Sequence, residues 1–292
     1  MRLVSLIILV LFCGCTKKQN QSAQAQGQAP FVFTKDNGAV SKQLEEASGL
    51  VASFANPAHF WTVNDSGNPA EVFLIDSTAQ TKIVCKLGNI ANRDWEDIAI
   101  GVGPVPGKKY LYVADIGDNL AVFPYKYIYR FEEPSLKNGA TQTITDVKTF
   151  VVLLPDGKRD TETLMIDPIT NDLYIVSKRE EHVNVYLQKF PYASDTLKPE
   201  KVLTLPYNKI VAGSISQDGQ EVLMKNYDQI FYWKRSGEKS VVELLKKPPI
   251  EIPYEREPQG EAMCWSNDTS GFYTLSESNN GVLAQLKYYK RK

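Results

Sequence analysis

From Glu46 to the end of the chain, short apolar runs recur in a fixed order, separated by turns rich in Gly, Pro, Asn and Asp. Five runs open on a polar or small residue, glutamate in four of them: Glu46-Ala-Ser-Gly-Leu, Glu96-Asp-Ile-Ala-Ile, Glu162-Thr-Leu-Met-Ile, Gly213-Ser-Ile-Ser and Glu261-Ala-Met-Cys-Trp. Each is followed by a β-branched or aromatic run of the kind strands favour: Phe60–Val63, Tyr110–Val113, Leu173–Val176, Val222–Met224 and Phe272–Leu275. Third runs follow at Val72–Ile75, Tyr127–Phe131, Val183–Gln188, Ile230–Trp233 and Val282–Leu286. Fourth runs follow at Lys82–Leu87, Thr149–Leu154, Val202–Leu205 and Val241–Leu245. The fifth unit lacks a fourth run, and Phe31–Thr34 is the apolar run left to complete it.

Repeats of this length, with almost no helical periodicity, predict an all-β protein: a β-propeller of five four-stranded blades, closed by an N-terminal strand. Six blades is the alternative, because the second repeat, Glu96 to Asp160, is long enough to hide strands around Glu132 to Val147. A β-sandwich does not account for five first strands in matching order.

In a propeller the first strand of each blade lines the central channel, and the second runs back antiparallel to it. The start of strand one and the end of strand two therefore share a face. That brings together Glu46 with Asp65, Glu96 and Asp97 with Asp115 and Asp118, Glu162 with Lys178, Ser214 with Asn226, and Glu261 with Glu277. Period-2 alternation then sets Ile98, Ile100, Leu164, Ile166, Met263 and Trp265 on the glutamates' face, an acidic mouth above an apolar throat.

Carboxylates crowded round one axis repel one another unless a cation or a proton relieves them. Three readings follow. A hard cation such as Ca²⁺ takes oxygen ligands of both kinds that Asn64-Asp65 and Asp118-Asn119 supply, with Glu96, Asp97, Glu162 and Glu261 as candidate metal ligands. The glutamates are alternatively structural, accepting backbone N–H bonds from neighbouring blades. The third is catalysis, with carboxylates of shifted pKa or a metal-bound water hydrolysing an ester or phosphoester.

The N-terminus changes the setting. Met1-Arg2 and the apolar Leu3–Phe12 form an export signal too short to span a bilayer. Cys13-Gly14-Cys15 follows, and this resembles a bacterial lipobox in which Cys15 becomes the lipidated terminus; a plain secreted protein is the other reading. The domain plan is then 1–14 signal, 15–30 flexible tether and 31–292 a single propeller. Cleavage removes one basic residue, Arg2, and no acid, from a chain of net charge −1, which argues against nucleic acid. Of four cysteines only Cys85 and Cys264 belong to the folded part, and both sit in apolar strands as buried free thiols. His59 and His182 are the only histidines, and no P-loop, Rossmann glycine pattern or G-x-S-x-G elbow occurs. Trp61, Trp95, Trp233 and Trp265 are expected in the inter-blade cores rather than stacked on sugars. The basic tail Lys287–Lys292 is expected in solvent.

Several segments carry a resemblance: Asn64-Asp65-Ser66-Gly67-Asn68-Pro69, Arg93-Asp94-Trp95-Glu96-Asp97-Ile98-Ala99, Asp115-Ile116-Gly117-Asp118-Asn119, Thr161-Glu162-Thr163-Leu164 and Gln259-Gly260-Glu261-Ala262. Together they resemble a family of bacterial secreted and lipoprotein β-propellers, distantly similar to phytase-like esterases and calcium-dependent lactonases. Gly213-Ser214 departs from the pattern by lacking the glutamate. The reading is a monomeric envelope protein held to the bilayer only by its N-terminal lipid. Its mouth is expected to bind a cation, with Ca²⁺ as the candidate, or a small polar ligand. A metal-dependent hydrolase at the same mouth and a protein-interaction scaffold are the alternatives.

Overall fold

The computed structural model describes residues 29–292. The signal, Cys15 and nearly all of the tether lie outside the described residues. Five antiparallel sheets account for almost all regular structure. Blade 1 is Ala47–Ala52, His59–Asn64, Glu71–Asp76 and Thr81–Leu87, and blade 2 is Trp95–Val102, Lys109–Asp115, Lys126–Glu132 and Lys148–Val152. Blade 3 is Thr161–Ile166, Leu173–Ser177, Asn184–Gln188 and Glu200–Thr204; blade 4 is Ala212–Ile215, Glu221–Lys225, Ile230–Lys234 and Ile250–Ile252. Blade 5 takes Ala262–Trp265, Gly271–Leu275 and Gln285–Arg291 from the C-terminus and its outermost strand, Phe31–Ala39, from the N-terminus. The first and last described strands thus share one sheet and close the ring, as the unpaired Phe31 run predicts.

The sixth blade does not form. Thr141–Ile144, from the long second repeat, pairs in parallel with the outer strand of blade 1, and Thr196–Leu197 does the same for blade 2. These two insertions cover the outer edges of blades 1 and 2 and strap them to blades 2 and 3.

Three local expectations are corrected. Val241–Leu245 is a helical turn, not the fourth strand of blade 4: Ser240 accepts the Glu243 N–H and Glu243 reaches back to the Lys239 N–H. This capping pair outweighs the strand preference of two valines. The third strand of blade 5 runs Gln285–Arg291, so the basic tail is structured: Tyr289 is buried, and Arg291 pairs with Glu221 while covering the Phe31 ring at 4.6 Å. The third correction concerns the throat. Ile98 packs between blades 1 and 2, Leu164 and Ile166 between blades 2 and 3, and Met263 and Trp265 between blades 4 and 5. A blade is covered on both faces, so the alternating residues of its first strand fill the two flanking cores and leave no apolar channel wall.

The five inter-blade cores hold the molecule together, and all four tryptophans and both free cysteines are buried in or against them. Each first strand starts at the mouth and runs away from it. Phe31 pairs with Arg291 at the far end of blade 5, so the described chain begins on the face opposite the mouth.

Candidate functional site

The glutamates of blades 2 and 3 reach the axis because the first strands are irregular there. Register shifts fall between Ser48 and Leu50, Trp95 and Asp97, and Thr161 and Thr163. Such a bulge sets two residues against one and re-aims a side chain. Blade 2 shows the effect: Trp95 and Ile98, three apart, share one core, which an unbroken period of two forbids. The extra residue lets Glu96 leave the sheet's faces.

Two groups of carboxylates meet at the mouth, each with ligand atoms within 4.8 Å of one another. Glu96, Glu162 and Glu261 come from blades 2, 3 and 5 and are all buried; Asp65, Asp94 and Glu96 come from blades 1 and 2, with Asp65 half-buried. Glu96 belongs to both. Gly117 makes the second group fit: a Cβ there would lie 2.1 Å from Glu96 Oε1 and 2.5 Å from Asp94 Oδ2, so the Asp-Ile-Gly turn approaches the carboxylates more closely than any other residue allows.

The first group already meets a cation. Lys178 Nζ lies 2.8 Å from Glu162 Oε1 and 3.5 Å from Glu261 Oε1, and 5.6 Å from the centre of the Tyr227 ring. Tyr227 also donates its hydroxyl to Glu261. The backbone on either side of this ammonium is fixed: Lys178 N–H donates to Asp160 O and Lys178 O accepts from Lys209 N–H.

The other expected residues are placed differently. Glu46 is exposed at the rim, accepting from Asn68. Glu277 is buried beside the groups and accepts from Gln259. Asp97 is not brought into either group; its two oxygens accept the Ile98 and Leu164 N–H groups, both at 2.8 Å, and tie blade 2 to blade 3. Asp115 pairs with Arg93 at 3.1 Å and accepts from Tyr129. Asp118 pairs with buried Lys126 at 3.1 Å and accepts the Val122 and Phe123 N–H groups, fixing its own loop. Asn226 closes a turn by accepting from Asp228 and Gln229.

Sequence reasoning passed over Asp94, Tyr227, Gly117 and Lys225. Asp94 was within reach, since it stands two residues before Glu96. Lys225, fully buried below the mouth, donates to Gly260 O and lies 5.0 Å from the centre of the Tyr254 ring; nothing in its sequence context marks it.

Burial and mutual repulsion push the mouth's acids upward. Asp65 is raised to about 7, by burial first, with Asp94, Glu261 and Glu46 adding to it. Glu277 is raised to about 8, by burial and then by Glu261 and Asp65. Glu96 is driven well above the usual range, by burial first and then by its neighbours Glu162, Asp65 and Asp94. Burial alone would lower Lys178, but Glu162 and Glu261 overturn this and hold it firmly protonated. Lys225 has no such close partner, and burial lowers it to about 8.

No protein-family model matches the chain. No curated protein matches it in sequence. Among solved structures, that of a luciferin-regenerating enzyme aligns over 90% of this chain and 95% of its own, with 10% sequence identity and a TM-score of 0.48.

Proposed function

We propose that this propeller binds a divalent cation of the Ca²⁺ type at its mouth, as a binding module of the cell envelope. One observation carries the reading: two groups of carboxylates, one from blades 1 and 2 and one from blades 2, 3 and 5, meet at Glu96, each with ligand atoms within 4.8 Å of one another, the spacing that one ion can bridge. An all-carboxylate donor set suits a hard cation, and an ion bound at Glu96 would relieve the repulsion that raises this carboxyl. Calorimetric titration with Ca²⁺, Mg²⁺ and Mn²⁺ tests it. One of them should bind the wild type and fail to bind Glu96→Gln; equal binding to both proteins would remove the mouth from consideration.

A hydrolytic reading has one observation in its favour. Glu96 and Glu162, two neighbouring carboxyls both raised by burial, with Lys178 and Tyr227 adjacent, form a carboxyl pair of the kind that exchanges acid and base roles in ester or phosphoester cleavage. Turnover of p-nitrophenyl esters or phosphates that disappears in Glu162→Gln would establish it, and no turnover with any bound cation would leave binding alone.

Attachment through a lipidated Cys15 completes the proposal. The tether from such an anchor would join the propeller on the face opposite the mouth, where the Phe31 strand starts. Cys15→Ser should release the protein from the membrane fraction; retention there would contradict the anchor.

A further inference from the structure

The two carboxylate groups at the mouth look equivalent as cation sites, but they differ in what already faces them. We infer that Lys178 is the resident cation of the group Glu96, Glu162 and Glu261, so that the mouth takes a single metal ion, at Asp65, Asp94 and Glu96. This rests on the cation-binding reading above and adds where the ion sits and how many there are.

The geometry of the lysine is that of a ligand in a site. Its ammonium stands 2.8 Å and 3.5 Å from oxygens of two of the three carboxylates, beside the Tyr227 ring, and its side chain is only 12% exposed. A metal placed among the same oxygens would lie within a few ångströms of this ammonium, where like charges repel strongly. Moving the lysine aside means exposing a carboxylate pair it neutralises and giving up its contact with the Tyr227 ring. The second group has no ammonium or guanidinium within ion-pair distance among the described residues. Asp65 and Asp94 make no salt bridge, and the nearby bases Arg93 and Lys126 are committed to Asp115 and Asp118. Gly117 holds open the space against Asp94 and Glu96. Tyr227 donates to Glu261, which commits that carboxylate further to the lysine's group. Glu96, shared by both groups, would link the bound ion to the lysine's group.

The test counts ions. Equilibrium dialysis of the wild-type chain against ⁴⁵Ca²⁺ and Mn²⁺, with Lys178→Met, Glu261→Gln and Asp94→Asn in parallel, should give one ion for the wild type and one for Glu261→Gln. It should give none for Asp94→Asn and two for Lys178→Met. If Lys178→Met does not fold, the other two variants still decide the matter. Loss of the ion in Glu261→Gln with retention in Asp94→Asn would overturn the inference while leaving the cation-binding reading intact. A single ion in a folded Lys178→Met would overturn it equally. No ion in the wild type but one in Lys178→Met would reject cation binding at the mouth and keep the lysine as resident cation. No ion in any of these proteins rejects both.

Discussion

At the scale of single residues, the mouth is a conflict of charges resolved by protons and one lysine. Asp65 and Glu277 hold their protons to about pH 7 and 8, against ordinary values near 4. Between those limits the folded state binds more protons than the unfolded chain, so stability falls as pH rises. The cation-free protein should therefore lose stability steadily from pH 5 to pH 8 in urea unfolding, and a bound cation should flatten that slope by taking the protons' place. A cation-free profile that rises over this range would contradict the assignment. Gly117 gives a second check: Gly117→Ala forces a methyl group against Glu96 and Asp94, at a cost of about 1–3 kcal/mol, and should abolish cation binding. The acidic recurrence was legible in the sequence; which acids converge was not. Asp97 and Glu96 are neighbours with opposite fates, decided by a one-residue bulge that no hydrophobic pattern records.

At the scale of elements, the apolar order of the chain was enough to place four strands in nearly every blade. The errors share a cause. Side-chain type alone predicts a strand at Val241–Leu245 and a solvated tail at Lys287–Lys292, whereas a capping serine and pairing with the N-terminal strand decide them. That N-terminal strand closes the ring. Phe31 is fully buried and meets the rings of Tyr232, Trp265 and Phe272 at 5.2–5.5 Å. Phe31→Ala should cost about 3–5 kcal/mol in chemical unfolding. A loss under 1 kcal/mol would mean that the closure strand contributes little.

At the scale of the whole molecule, five sheets stacked side by side bring residues far apart in sequence to one axis. Asp65 stands on blade 1, which shares a core with blade 5 in the closed ring, and Glu96 stands on blade 2. Closure and binding should therefore be coupled: a chain starting at Val40, without the N-terminal strand, should bind the cation far more weakly even if it keeps β-structure by circular dichroism. Undiminished affinity would show that the mouth forms without the ring. The measurement that bears most directly on the account is thermal unfolding of residues 29–292 in EDTA and in excess Ca²⁺, Mg²⁺ or Mn²⁺, for the wild type and Glu96→Gln. An ion at about a hundred times its dissociation constant adds about 2.7 kcal/mol, which for a domain of this size raises the midpoint by roughly 5 °C or more. The account predicts that rise with at least one ion in the wild type and none in Glu96→Gln. A wild-type midpoint indifferent to all three ions, or a rise that survives in Glu96→Gln, would contradict it.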